Sequence, residues 1–446
     1  MTISFNRRGL LMSTLFGAGY VGLRALATGL PVGVLLKGTR AFADGTVSCS
    51  DAAKSKAQYF VLSTCGSGDP INANVPGSYD IAAITHPAPT DGSMAPTKMT
   101  LGGVQTTAAL PWAQLPQSTL SRASFWHIMT NTPVHPREGD VLSLLNTTAA
   151  NEMLPSLLSK QMAPCLGTIQ SQPITLGATT PSEGLKFGGQ ALPIIPPLAL
   201  KATLTNASGP LAGLTNLQSI RDQTLAQIDD LYRNSATKAQ SAYLDSLILS
   251  QQQVRGINQN LLDSLSSIAD NSVASQITAA VALIQMNVTP VIAIHIPFGG
   301  DNHNDTALAN EAAQTVTGVA SIQTLMSALQ TAGLQDQVSF LSLNVFGRTL
   351  GPSNTDGRQH NPNHQVSIAI GKPFKSMIVG ALAPVANDYG CMPIDSSSGM
   401  GTTSGDIATT DTLASFGKTV MAAVGIDDTT ISSSINGGKV VTGVLA

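Results

Sequence analysis

The stretch "VTPVIAIHIPFGGDNHNDTALANEAAQTVTGVASIQTLMSALQTAGLQDQVSFLSLNVF", residues 288–346, decides the fold. It opens on an apolar run rich in β-branched residues, 288–297, which reads as a buried strand. A polar loop follows. Val316, Val319, Ile322, Leu325 and Leu329 then recur at helical spacing, and Gly333 supplies the stop. A second apolar run, 338–346, reads as another strand. Strand, helix and strand at this spacing imply an α/β fold with a mostly parallel sheet covered by helices. In open parallel sheets the site lies beyond the carboxyl ends of the strands. That is where the loop "GGDNHND", 299–305, falls, and its acidic groups stand out in a chain only 11% charged.

Working outward, "AQYFVLST" (57–64) is a further buried strand and empties into "CGSGDPINANVPGS". "SMIVGAL" (376–382) is another strand, and "TLASFGKTVMAAVG" (412–425) a helix ending at Gly425. Residues 70–210 are broken by Pro and Gly into short apolar pieces whose topology the sequence leaves open. From Leu214 to Ile284 apolar residues recur every three to four positions, so 214–284 reads as a helical cap or insertion, with a partner-docking bundle as the alternative.

With 446 residues, 43% of them hydrophobic, the chain can bury a large core. Its net charge of −3, without a basic cluster beyond the first residues, excludes nucleic acid as the main partner. Residues 1–43 read as a twin-arginine export signal. Arg7-Arg8 precede a weakly apolar stretch, and Ala41-Phe42-Ala43 forms a small-x-small cleavage site before Asp44. Arg24 in the middle of that stretch makes a stable membrane span costly. The mature chain, 44–446, is therefore expected to be periplasmic or secreted, with the twin-arginine translocase a partner during export. Cys49, Cys65, Cys165 and Cys391 then meet an oxidising compartment, and they permit three disulfide pairings.

Three polar clusters converge by topology: Asp69 with Asn72, Asp301 with His303 and nearby Asp305, and His360 with His364. Carboxylates and imidazoles from separate loops form the ligand mix of zinc, manganese or iron. A divalent ion there would polarise an ester oxygen and lower the pKa of a bound hydroxyl or water. Loop chemistry competes with this reading, because Asp and Asn also cap helices. "RASFWHIMTNTPVH" (122–135) offers Ser124, Thr130 and Thr132 as hydroxyl nucleophiles beside His127 and His135.

In order along the chain, "FVLSTCGSGDPINANVP", "GGDNHND" and "FGRTLGPSNTDGRQHNPNH" resemble the bacterial domain-of-unknown-function family 1501, twin-arginine-exported members of the alkaline-phosphatase/sulfatase-like superfamily. The resemblance spans most of the mature chain, including the closing helix "DTLASFGKTVMAAVGID". It implies an alkaline-phosphatase-like three-layer sandwich with a mostly parallel central sheet and an inserted helical segment. It matches Asp69, Asp301, His303 and His360 to metal ligands, with His364 a further candidate. Arg348 would face an anionic group or brace a loop. Ser124, His127 and Arg348 are the catalytic candidates. The implied activity is metal-dependent hydrolysis of a small anionic ester, a phosphate or a sulfate. Two departures weaken the site: Gln359 stands where the family has Asp, and Val345 where it has Glu. One ion, two or none then fit the sequence, and a catalytically degenerate binding or assembly protein is the alternative.

Overall fold

The computed structural model describes residues 49–68, 70–178, 184–205, 227, 259–298, 300–351 and 357–446. The expected signal (1–43), the ligand candidate Asp69 and most of the helical segment 214–284 lie outside the described residues. In chain order the strands of the main sheet and of its neighbouring hairpin are β1 (Tyr59–Cys65), β2 (Pro96–Leu101), β3 (Val104–Ala109), β4 (Ala123–Ile128), β5 (Ile174–Thr175), β6 (Val291–Ile294), β7 (Val338–Asn344), β8 (Gln365–Ile370) and β9 (Met377–Val379). The hairpin β2–β3 stands apart, and the other seven form one sheet in the order β9-β4-β8-β7-β1-β6-β5.

β1 lies at the centre, in parallel register with β6 (Phe60↔Val291) and β7 (Tyr59↔Val338). Only β8 is antiparallel to its neighbours, which turns β4 and β9 parallel to the rest. The expected mostly parallel sheet is therefore present. The carboxyl ends of β1, β4, β6 and β7 share one edge, and the chain enters β8 from that same edge.

Helices cover both faces, giving three layers. They are α1 (Leu154–Leu166), α2 (Val273–Gln285), α3 (Ala309–Thr331) and α4 (Thr412–Ala423). β1 shows how the layers divide. Val61 points into the core with Ile277 of α2 and Ile322 and Leu325 of α3. Phe60 and Leu62 point the other way, against Leu158 of α1 and Phe416 of α4. Alternate side chains leave opposite faces of a strand, so a strand apolar throughout needs cover on both sides. Each such side chain removed from water contributes roughly 1.5–3 kcal/mol. α3 carries the chain from β6 across β1 to β7, the crossover that residues 288–346 predicted. The end of the 214–284 helical segment falls in α2, which packs on this sheet and on α3.

Of the three disulfide pairings left open, Cys49–Cys165 forms. Cys65 and Cys391 are buried thiols, and burial pushes the Cys391 thiol up to about 12.

Candidate metal centre

Four side chains meet at the sheet's carboxyl edge: His135, Asp301, His303 and His360. One potential ligand atom of each lies within 4.8 Å of all the others. Different loops deliver them. Asp301 and His303 follow β6, and His360 sits in the two-residue ladder of Gly347–Arg348 with His360–Asn361 that leads into β8. His135 follows β4 through Met129–Val134.

His303 Nε2 lies 2.9 Å from His360 Nε2 and 3.0 Å from Asp301 Oδ1. The Nδ1–H of His135 is held 3.0 Å from the Gly66 carbonyl, and that of His360 is held by the Pro133 carbonyl. A carbonyl only accepts, so both rings keep the proton on Nδ1 and leave Nε2 with a free lone pair. Metal-bound histidines are oriented in this way. The ring of His360 stacks on Phe346, with centroids 4.3 Å apart. Burial lowers the His360 pKa; the Pro133 carbonyl opposes that shift, and Arg348, His135 and His303 add to it. Asp301 is 61% exposed, so one side of the cluster is open to solvent. Three imidazoles and a carboxylate suit zinc, iron(II) or manganese, so the residues present fit a divalent ion.

The second acidic residue of the loop "GGDNHND", Asp305, is structural. Both carboxylate oxygens of Asp305 accept backbone N–H groups, those of Asn310 and Glu311, and so satisfy the first turn of α3. Capping therefore explains Asp305 and not Asp301 or His303.

The expectation that His364 binds the ion is corrected by its partners. His364 is fully buried and both ring nitrogens are engaged. Its Nε2 lies 2.9 Å from His127 Nδ1, and its Nδ1 3.3 Å from Asn72 Nδ2. His127 Nε2 donates to the Pro76 carbonyl at 2.9 Å, which fixes every tautomer in the chain. His127 Nδ1 must accept from His364, and His364 Nδ1 from Asn72. Burial holds His127 down to about 4 and His364 well below the usual histidine range, where the second also feels His127. Both rings are neutral struts, so His127 is also removed from the catalytic candidates.

Asn72 extends this chain to the backbone of Arg348, accepting its N–H at 3.0 Å and donating to its carbonyl at 2.7 Å. Gly347 permits the approach, because a Cβ there would fall 2.6 Å from Asn72 Nδ2. The Arg348 guanidinium is buried and donates to the Ser67 and Gly300 carbonyls. Of the two roles open to it, Arg348 thus braces the loops after β1 and β6, 3.7 Å from Asp301.

Ser124 does not reach the centre. It sits near the start of β4, about 13 Å of strand before Ile128. Its hydroxyl accepts the Trp126 indole N–H at 3.0 Å. Thr130 and Thr132, on the segment leading to His135, are the buried hydroxyls of that stretch without a hydrogen-bond partner among the described residues.

No family model and no curated protein matches the chain. Among solved structures, it is similar to the lipoteichoic acid synthase LtaP from Listeria monocytogenes at 10% identity, covering 95% of this chain and 81% of that one, with a TM-score of 0.33. It is also similar to Ps i-CgsB in complex with k-i-k-neocarrahexaose at 10% identity, covering 86% of this chain and 75% of that one, with a TM-score of 0.32. Values of this size leave the functional reading to the chemistry of the site itself.

Proposed function

We propose that the protein is an exported, metal-dependent hydrolase of phosphate or sulfate esters. The observation that carries this reading is the cluster of His135, Asp301, His303 and His360, with carbonyl-fixed tautomers on two of its histidines. A divalent ion held there supplies Lewis acidity toward an ester oxygen and lowers the pKa of a bound hydroxyl or water. Around it the protein's own groups set the geometry. The Gly66 and Pro133 carbonyls aim two imidazoles, Arg348 ties the loop of Asp301 to that after β1, and the exposed side of Asp301 admits the substrate. Thr130 and Thr132 replace Ser124 as the hydroxyls to test as nucleophile. Export by the twin-arginine route rests on residues 1–43, and the Cys49–Cys165 disulfide fits an oxidising destination. No helix among the described residues is long and apolar enough to cross a membrane.

One observation favours the degenerate scaffold as a second reading. Val345, where the resembling family carries Glu, is buried in the apolar core beside the site and supplies no charge to it. Elemental analysis of protein purified without chelator separates the two. Near-stoichiometric metal, lost in Asp301→Ala and His303→Ala, together with turnover of an aryl phosphate or sulfate, supports the hydrolase. Metal-free, stable protein in all three preparations would leave the scaffold.

A further inference from the structure

A second concavity lies away from the metal centre. It has a volume of about 790 Å³, within the range of small-molecule sites. Arg122, just before β4, and the loop Lys372–Ser376 between β8 and β9 form part of its wall. These segments lie at the opposite end of the strands from His135 and His303. The tip of the β2–β3 hairpin leans over that loop, where Gly102 N donates to Ser376 Oγ at 3.1 Å. Only glycine allows this contact, because a Cβ on Gly102 would fall 2.2 Å from the Ser376 carbonyl. The hairpin thus arches over the edge strand β9 and leaves a space beneath it.

The lining is of two kinds. Leu101, Val104, Phe374, Met377, Ile378 and Met400 make it apolar. Val104 and Met400 keep 66% and 58% of their surface exposed, although both belong to the most hydrophobic residue types. Arg122, Lys372 and Lys375 are the charged side chains of the lining, and no Asp or Glu is among them. Arg122 and Lys372 share one carboxylate, Asp336, at 2.7 and 3.9 Å. Lys375 has no acidic partner among the described residues and donates to the Gly443 carbonyl. With Asp336 counted against these three cations, the rim keeps surplus positive charge.

We propose that this concavity binds a single-chain anionic amphiphile, an alkyl chain with one anionic head group. The chain would lie under the hairpin against Leu101, Phe374 and Ile378, and the head would meet Lys372 and Lys375. An apolar channel alone would accept a neutral alcohol equally well, and a basic rim alone would accept any small anion. The pairing of the two selects an amphiphile. This assignment is independent of the metal centre.

Calorimetric titration of the full chain with monomeric dodecanoate, and in parallel with dodecanol, tests it. The expected result is one saturable dodecanoate site and weaker dodecanol binding. The double variant Lys372→Ala/Lys375→Ala should weaken dodecanoate roughly five- to tenfold while leaving dodecanol unchanged. Val104→Glu should weaken dodecanoate further. All three substituted side chains are exposed, so thermal midpoints should match the parent and exclude misfolding. Absence of saturable dodecanoate binding, or equal affinity in parent and double variant, would overturn the assignment. So would binding to phosphatidylglycerol vesicles without binding of monomeric dodecanoate, which would make this face a membrane-contacting surface instead.

Discussion

His303 and His360 face one another Nε2 to Nε2 across 2.9 Å, with the Asp301 carboxylate 3.0 Å from the first. Because the Nδ1–H of His360 is committed to the Pro133 carbonyl, its Nε2 is bare, and one proton on His303 can serve only one of its two neighbours well. A cation among them serves all three at once. Zinc added to chelator-treated protein should therefore raise the unfolding midpoint, by the equivalent of about 2.7 kcal/mol at a concentration a hundredfold above Kd. Differential scanning calorimetry with and without the ion checks this; identical transitions would count against a site.

His135 gives a sharper test, since the resemblance did not assign it to the metal. Removing a residue that merely orients a ligand costs roughly 10–100-fold in metal affinity. His135→Ala, which removes a ligand atom itself, should cost at least that much. Competition with a chromophoric chelator measures it, and unchanged affinity would exclude His135 from the shell.

Acid should loosen the fold through His127. Its folded pKa of about 4 lies below the ordinary 6.5, so the unfolded chain binds the proton more readily. Stability is then complete above about pH 6.5 and falls between there and pH 4, by on the order of 3 kcal/mol from this group. The physical cause is plain: a proton on His127 Nδ1 would oppose the Nε2–H of His364 in a dry interior. Urea unfolding at a series of pH values should show this slope, and His127→Phe should flatten it. An equal slope in both would locate the acid sensitivity elsewhere.

Glu311 and Arg358 form a buried pair at 2.6 Å. Arg358 also donates to the Thr349 and Thr85 carbonyls, Asn74 donates to Glu311, and the Arg358 backbone N–H reaches the Asn302 carbonyl, between Asp301 and His303. Breaking such a pair from one side strands a charge and costs roughly 3–5 kcal/mol. Glu311→Gln should lower stability by that order and weaken metal retention with it. Chemical denaturation combined with elemental analysis reads both effects.

The Cys49–Cys165 disulfide closes a sequence separation of 116 residues. Chain-entropy arguments give a loop near that size up to about 4.7 kcal/mol. Cys49→Ser should lower the unfolding midpoint in non-reducing buffer. Thiol labelling of the native parent should find Cys65 and Cys391 unreactive until denaturant is added, because both are buried.

The strand–helix–strand core could be read directly, because β1, β6 and β7 are buried on both faces and therefore predominantly apolar, and α3 repeats its apolar residues at a fixed period. From that pattern the carboxyl edge of the sheet followed, and with it Asp301, His303 and His360. β4 and β8 escaped notice. β4 carries Ser124 and His127 inside a strand buried on both faces, and each polar group has a partner far along the chain, Ala369 and His364 respectively. Polar residues in a short run look like loop until those partners are known, so Ser124 read as a nucleophile. Once 123–128 is a strand parallel to β1, His135 falls at the same edge and its role becomes visible.

The sequence by itself determined the α/β class, the edge that carries the cluster and the loop that supplies two of its side chains, since local period and residue type dictate these. Tertiary structure alone decided which histidines meet. His360 and His364 stand four residues apart, yet one faces an open cluster with Asp301 and the other closes a dry chain to His127 and Asn72. A ring nitrogen's role is set by whichever donor or acceptor it faces across space, and residue order does not encode that directly.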